Sequence, residues 1–133
     1  IYNKDLMNIF YTKLINENII SPENVISKGP VKIMAVAVID GTYRHLDIFY
    51  YTKNVYPFAL LFTTGSKEFN VNIRNHAIKL GYSLNERNLT RDSPSGKSVS
   101  WQEYNDVIKK SHPETEEDIF NFLKMKYLTP KER

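Results

Sequence analysis

The sequence has no cysteine among its 133 residues. Disulfides, thiolate nucleophiles and cysteine-ligated zinc are therefore excluded, and a bound metal has to rest on oxygen ligands. A chain without cysteine also fits a reducing compartment. Long apolar runs are missing too, since none approaches the roughly 18 residues that span a bilayer. The first ten residues lack the charged-then-apolar layout of a secretory signal. We therefore expect an intracellular protein that is not secreted and has no membrane partner.

Histidine is scarce as well, and His45, His76 and His112 are not spaced as a metal-binding set. No Ser-His-Asp arrangement can be derived from them. What the chain does have is 41% hydrophobic residues, enough for one domain or slightly more. Its net charge of +3 and its pI near 9.0 are compatible with a polyanionic partner.

Apolar residues recur at helical spacing between residues 5 and 18, so this stretch predicts a helix with one buried stripe. The predicted stripe consists of Leu6, Ile9, Phe10 and Leu14.

Residues 31–39 are β-branched and almost wholly apolar, which predicts a strand covered on both faces. Asp40 and Gly41 then supply the two positive-φ positions of a type I′ turn, and residues 42–51 return as a second strand. Side-chain alternation places Asp47 on one face of that strand and Arg44 on the other.

The next segment predicts two helices interrupted at Thr64-Gly65-Ser66. Pro57 suits the first turn of one helix, and Ser66 can cap the other, which should end at Gly81. The buried stripe of the second helix is predicted to be Phe69, Ile73, Ala77 and Leu80. Short strands are predicted at residues 82–85 and 88–91. Two short helices follow, and residues 100–103 (SWQE) and 115–118 (TEED) are each predicted to start a helix with a capping box.

Lys67, Asn70 and Arg74 lie at i, i+3 and i+7 of the second predicted helix, so they should project together. The glycine at position 65 permits close approach of a phosphate or sugar, and the following helix offers free amide groups. The same Gly-Ser sequence is also common as an ordinary helix cap. Spacing alone leaves both interpretations open.

Asp47 is the best candidate for chemistry, because a carboxylate in a strand interior needs a partner. A divalent cation such as Mg²⁺ is one partner, since it takes carboxylate and phosphate oxygens together. A salt bridge to Arg44 or to a nearby lysine is the alternative.

Three segments taken together, residues 44–48 (RHLDI), 56–66 (YPFALLFTTGS) and 69–86, resemble family X DNA polymerases, the group of polymerases β, λ, μ and terminal transferase. Residues 27–29, 118–120 and 127–131 look like the same family. Only residues 92–114 carry no likeness. The resemblance implies an α+β fold. Residues 1–53 would be the C-terminal part of a palm subdomain, with an antiparallel hairpin plus helix at the end of a nucleotidyltransferase-type sheet. Residues 54–133 would be a small α/β thumb.

In this family three palm carboxylates hold two Mg²⁺ ions, or Mn²⁺ in their place, and the primer 3′ hydroxyl attacks the α-phosphate of a deoxynucleoside triphosphate. Asp47 matches the third carboxylate, which implies a catalytic and metal-binding role. The other two acids, an Asp-x-Asp pair, would lie before Ile1 in the N-terminal part of the same protein. The present chain alone would then be inactive.

The resemblance also implies binding roles. Phe62 and Thr63 would contact the nucleotide sugar with Gly65 as a close backbone neighbour, and Asn70 would contact the incoming base. Arg74 would touch the template strand, and Lys28 would approach the DNA backbone. Thr63 replaces the second aromatic residue usual before Thr-Gly-Ser, and Phe49 stands where several members carry arginine. Lys67, Val71 and Arg87 also differ from the commoner residues.

The expected activity of the intact protein is DNA-directed DNA synthesis during short-gap repair, with gapped or primer-template DNA and a deoxynucleoside triphosphate as partners. A non-catalytic DNA-binding module that retains the thumb fold is one alternative, and a template-independent nucleotidyltransferase is another. The expected location is the nucleus for a cellular protein, or the place of viral DNA replication or repair.

Overall fold

The computed structural model describes residues 5–133 and divides into two units, one that ends at Thr52 and one over Lys53–Arg133. The fold is α+β, as the sequence predicted: the first unit contains a three-stranded antiparallel sheet and a helix, and the second contains four helices and a two-stranded sheet.

The first unit is built on the antiparallel sheet, in which β2 is the middle strand. Its elements are α1 (Leu6–Asn16), β1 (Val25–Lys28), β2 (Lys32–Ile39) and β3 (Thr42–Phe49). Asp40 and Gly41 join β2 to β3 with φ angles of 51° and 73°, so the predicted type I′ turn is confirmed. No atom lies within 4 Å of a Cβ built on Gly41, so the positive φ alone favours glycine there.

One face of the central strand is fully buried. Ile33, Ala35 and Ala37 are 0% exposed, whereas Met34 and its neighbours on the opposite face are only half-buried. The prediction that both faces are covered is therefore wrong for the part of the chain that the structure describes. Ala35 and Ala37 of the buried face pack in a cluster with Leu14 of α1 and with Ile20, which follows that helix.

The predicted buried stripe of α1 is wrong at three of its four positions. Leu14 is buried, but Leu6, Ile9 and Phe10 are 45%, 58% and 45% exposed. Met7 is buried instead. Apolar residues occur on more than one side of this helix, so helical spacing alone could not choose which side meets the sheet.

The second unit packs its helices around one aromatic-rich core. Its elements are α2 (Tyr56–Thr64), α3 (Lys67–Lys79), β4 (Tyr82–Leu84), β5 (Leu89–Arg91), α4 (Trp101–Ile108) and α5 (Glu116–Phe122). Phe69, Ile73 and Ala77 of α3 are buried as predicted, together with Phe120 of α5. Leu80 follows the last turn of α3 and is 41% exposed, so its predicted burial is wrong.

Side-chain caps begin the three later helices. Ser66 Oγ accepts a hydrogen bond from the Phe69 N–H at 3.2 Å, and Ser100 Oγ accepts from the Glu103 N–H at 3.2 Å. Thr115 and Asp118 form a complete capping box at α5. These caps confirm the helix starts expected from the sequence.

The capping box predicted at Ser100 is wrong in its second half, because the Glu103 carboxylate pairs with other residues instead of the Ser100 backbone. Glu103 Oε1 accepts a hydrogen bond from the Tyr82 hydroxyl at 2.5 Å and pairs with Arg91 Nη2 at 2.7 Å. Burial and this hydrogen bond raise the pKa of Tyr82 above its ordinary value. Glu103 therefore ties α4 to the β4–β5 hairpin.

Arg133 has a side chain that is 0% exposed, which is unusual for a cation. Its guanidinium contacts the Glu116 carboxylate, and its Nε donates to the Leu128 carbonyl at 2.9 Å. The ring centroids of Phe120 and two other aromatic residues lie 5.2–5.5 Å from its Cζ. Charge pairing and cation–π contacts offset part of the cost of its burial, and its Nη2 has no hydrogen-bond partner among the residues that the structure describes.

Candidate nucleic-acid interface

An open groove of about 510 Å³ lies where α2 ends and α3 begins. Both helices contribute side chains, and the turn between them contributes backbone. The lining residues are Phe62, Thr63, Thr64, Gly65, Ser66, Lys67, Asn70, Val71 and Arg74. Five residues to which the family resemblance assigns nucleotide or template contacts, namely Phe62, Thr63, Gly65, Asn70 and Arg74, thus line one surface.

The turn at the bottom of the groove depends on Gly65. This residue has φ 65° and ψ −151°, and α2 ends there. A Cβ at this position would lie 3.4 Å from the Lys67 nitrogen, in a conformation that L side chains rarely adopt. Ser66 then caps α3. The Gly-Ser pair thus serves as a helix cap, and both residues line the groove, although Gly65 itself is buried.

Phe62 is held from two sides by residues of α3. Asn70 Nδ2 donates a hydrogen bond to the Phe62 carbonyl oxygen at 2.9 Å. The guanidinium carbon of Arg74 lies 5.2 Å from the centre of the Phe62 ring. Asn70 and Arg74 are four residues apart and share one side of the helix, so one wall of the groove is a linked set of three side chains.

Thr63 uses its hydroxyl proton within its own helix. Its Oγ1 donates to the Ala59 carbonyl at 2.8 Å, the i−4 bond that threonine commonly makes in helices. With this bond in place, the hydroxyl oxygen can accept a hydrogen bond from a ligand in the groove.

The groove carries positive charge without a compensating carboxylate. Lys67 and Arg74 both line it, and none of its nine lining residues is Asp or Glu. A polyanionic ligand suits such a surface, because phosphates would gain favourable interactions from both cations.

Asp47 belongs to the first unit and lies on β3 opposite Met34 of β2. Its side chain is 37% exposed, and its Oδ1 lies 2.8 Å from His45 Nε2. His45 is two residues earlier on the same face, whereas Arg44 lies on the opposite face. The proposed pairing with Arg44 or a lysine is therefore not the one observed. Strand alternation contained the signal for His45, because it predicted that both side chains share a face.

Lys28 ends β1 and also belongs to the first unit. Its Nζ donates to Asn8 Oδ1 at 2.8 Å and lies 4.9 Å from the centre of the Tyr11 ring. Both partners are on α1. Lys28 remains exposed, and its predicted role at the DNA backbone stays a prediction.

Among residues 5–133, no group of three or more His, Cys, Asp or Glu side chains is arranged to hold a metal ion. The helices of the same residues include none that is long and apolar enough to cross a bilayer.

A cationic groove that combines an aromatic ring, an amide and a guanidinium is typical of nucleic-acid-binding domains. Comparison with known families agrees and is more specific. Residues 59–133 match the family described as DNA polymerase beta thumb. Because this match covers more than half of the 133 residues, the chain belongs to that family.

The match confirms the resemblance to the thumb of family X polymerases. It also includes residues 92–114, where no motif showed a likeness. In the structure this stretch contains α4, which Glu103 ties to the hairpin. The segment is thus an integrated part of the thumb rather than an unrelated insertion.

Proposed function

We propose that the intact protein is a family X DNA polymerase that adds deoxynucleotides to a primer 3′ end during short-gap repair, and that this chain supplies its thumb and the end of its palm. The observation that carries the proposal is the groove at Gly65, which gathers the aromatic, amide and guanidinium groups expected to meet a nucleotide and a template. Membership of the polymerase β thumb family supports the same assignment.

Each groove residue has a binding role in this proposal. Phe62 and Thr63 face the sugar of the incoming nucleotide, and the backbone at Gly65 approaches it closely. Asn70 contacts the base, and Arg74 contacts the template strand. Since Asn70 and Arg74 both hold Phe62, a change at either residue would also loosen the wall that meets the sugar.

Asp47 is proposed as one ligand of a Mg²⁺ site that needs further carboxylates from the N-terminal part of the same protein. The residue fits this role, because its side chain is partly exposed and only Oδ1 has a partner in the part of the chain that the structure describes. Mg²⁺ commonly takes one or two carboxylates and completes its shell with phosphate oxygens and water. Bound there, the ion would supply charge neutralisation at the reacting phosphate and activation of the primer hydroxyl.

In this proposal His45 orients the Asp47 carboxylate through the contact between Nε2 and Oδ1. Because the carboxylate is rigid, the same contact also fixes the direction of Oδ2. In the proposal, Asp47 also takes part in removing the proton of the primer hydroxyl. We place the activity where cellular or viral DNA is repaired, and gapped or primer-template DNA is the expected partner.

The test is primer extension on gapped DNA by the intact protein carrying Asp47→Ala. Loss of a group that stabilises charge in the transition state typically lowers a rate by about 10²-fold or more, and we expect a loss of this size. Arg44→Gln is the matched control, because Arg44 is on the other face of the same strand. Unchanged extension by Asp47→Ala would refute the role of Asp47.

The same assay separates the two alternatives. DNA binding without extension by the unaltered intact protein would favour a non-catalytic module. Efficient extension of a single-stranded primer would favour a template-independent transferase.

A further inference from the structure

Lys67 is a groove residue to which the family resemblance assigns no role. It is the first residue of α3, one turn before Asn70 and two turns before Arg74, and it lines the same groove. Its side chain is exposed, and its ammonium group has no hydrogen-bond or ion-pair partner among residues 5–133.

A lysine at the first position of a helix is electrostatically unfavourable. The aligned peptide dipoles create positive potential at this end, so acidic residues are preferred there and cations at the other end. The acidic residue in this turn is Glu68, which does not line the groove. A residue that departs from such a local preference is expected at a functional site, where a bound ligand can compensate its cost.

The two cations of the groove lie at different places along α3. Lys67 and Arg74 are seven positions apart, which corresponds to about 10 Å along the helix axis. No carboxylate lines the groove between them. The arrangement suits a ligand that carries phosphates at more than one place.

We propose that Lys67 is a second phosphate-binding residue of this groove and contacts the DNA backbone or the phosphates of the incoming nucleotide. The proposal rests on the proposed function and extends it. Arg74 acts at the template end of the groove in this arrangement, and Lys67 acts at the end next to Ser66.

The experiment compares Lys67→Gln with the charge-preserving Lys67→Arg in this chain. Two probes are used: a fluorescein-labelled primer-template DNA, followed by anisotropy, and dATP, followed by calorimetry. For the probe whose phosphate Lys67 contacts, we expect Lys67→Gln to weaken binding by roughly threefold to tenfold at low salt. For DNA the slope of log affinity against log salt should also become shallower by about one unit. Lys67→Arg should keep the affinity and the slope.

The two probes identify the source of the phosphate. Weaker binding of DNA alone assigns the contact to the DNA backbone, and weaker binding of dATP alone assigns it to the nucleotide. Equal affinities of Lys67→Gln and the unaltered chain for both probes would overturn the proposal.

Thermal unfolding provides a readout that distinguishes binding from a structural role. Removal of a cation from the N-terminal end of α3 should leave the melting temperature of Lys67→Gln unchanged or raise it, while affinity falls. A fall in both would indicate that Lys67 acts through the fold, and would also overturn the proposal.

Arg74→Gln separates failure of this inference from failure of the proposed function. Suppose that the unaltered chain binds DNA, that Arg74→Gln weakens this binding and that Lys67→Gln does not. In that case only the role of Lys67 is wrong. If the unaltered chain binds neither probe, the assignment of the groove to nucleic acid is wrong as well, and the Lys67 proposal is overturned with it.

Discussion

Asp118 is a carboxylate that remains charged although it is only 7% exposed. Its oxygens accept hydrogen bonds from Lys110 Nζ at 2.9 and 3.0 Å and from the backbone N–H groups of Glu114 and Thr115. Burial by itself raises the pKa of Asp118. The bonds from Lys110 and the two backbone groups outweigh burial, so the pKa lies below its ordinary value of 3.8.

A pH-dependent loss of stability follows at Asp118. Because the folded-state pKa is lower than the unfolded-state one, the stabilisation is complete above about pH 4 and is lost as the pH falls through the folded-state pKa. Asp118→Asn should lower the free energy of unfolding by about 2 kcal/mol near neutral pH, since it removes charge-assisted bonds and half of a capping box. The difference from the unaltered chain should shrink below pH 3.8, as measured by urea unfolding.

Glu117→Gln is the matched control for this measurement, because Glu117 is an exposed acid in the same helical turn. The interpretation would be wrong if Asp118→Asn differed from the unaltered chain by the same amount at both ends of the pH range.

Single residues of the site differ in how far the sequence could predict them. Alternation along β3 correctly separated Asp47 from Arg44, but it could not show that His45 would take the carboxylate. Strand periodicity predicts on which face of the sheet a side chain lies, but it does not predict which exposed side chains form hydrogen bonds with each other. The bond from Asn70 to the Phe62 carbonyl was likewise unpredictable, because it depends on the backbone path through Gly65.

The β2–β3 hairpin shows how one turn fixes the register of an element. Every residue of β2 has a defined partner on β3, from Lys32 opposite Phe49 to Ile39 opposite Thr42. A two-residue turn with positive φ at both positions leaves no freedom for a register shift. The turn therefore determines that Asp47 and His45 lie on the half-exposed face, away from the buried alanines of β2.

Gly41→Val should destabilise the hairpin through its backbone conformation. A β-branched residue at φ 73° costs about 1–2 kcal/mol, and the surrounding space is open, so no clash contributes. Gly41→Asn is the control, because asparagine tolerates this conformation and should cost less. Urea unfolding of both variants measures the difference. Equal stability of the two would show that the turn conformation is not the limiting factor.

At the scale of elements, helix starts were predicted better than helix faces. Ser66, Ser100 and Thr115 each cap a helix as expected, because a cap is a local interaction over three residues. The buried face of α1 was predicted wrongly, because it is decided by the sheet on which the helix packs and not by its own sequence.

The molecule as a whole consists of two units, each with its own core. The core of the first unit joins α1 to its sheet, and that of the second unit joins α3 and α5 to the β4–β5 hairpin. The boundary between Thr52 and Lys53 falls between β3 and α2. A unit with its own buried core is expected to fold independently.

Residues 53–133 produced alone should therefore unfold cooperatively. We expect a single thermal transition by circular dichroism and a near-ultraviolet signal from the packed aromatic residues of the core. The complete chain is the control, and its corresponding transition should occur at a similar temperature. A broad transition without a near-ultraviolet signal would show that the second unit needs the first for its tertiary packing.

The carboxylate of Glu103 has a consequence for motion within the second unit. A helix and a hairpin that share one carboxylate cannot open independently without leaving that carboxylate, or its tyrosine and arginine partners, unpaired. Hydrogen exchange of the amides in α4 should therefore change in parallel with exchange in β4 and β5. The segment of residues 92–114, which has no recognisable motif, would then open together with the part of the thumb that the motifs identify.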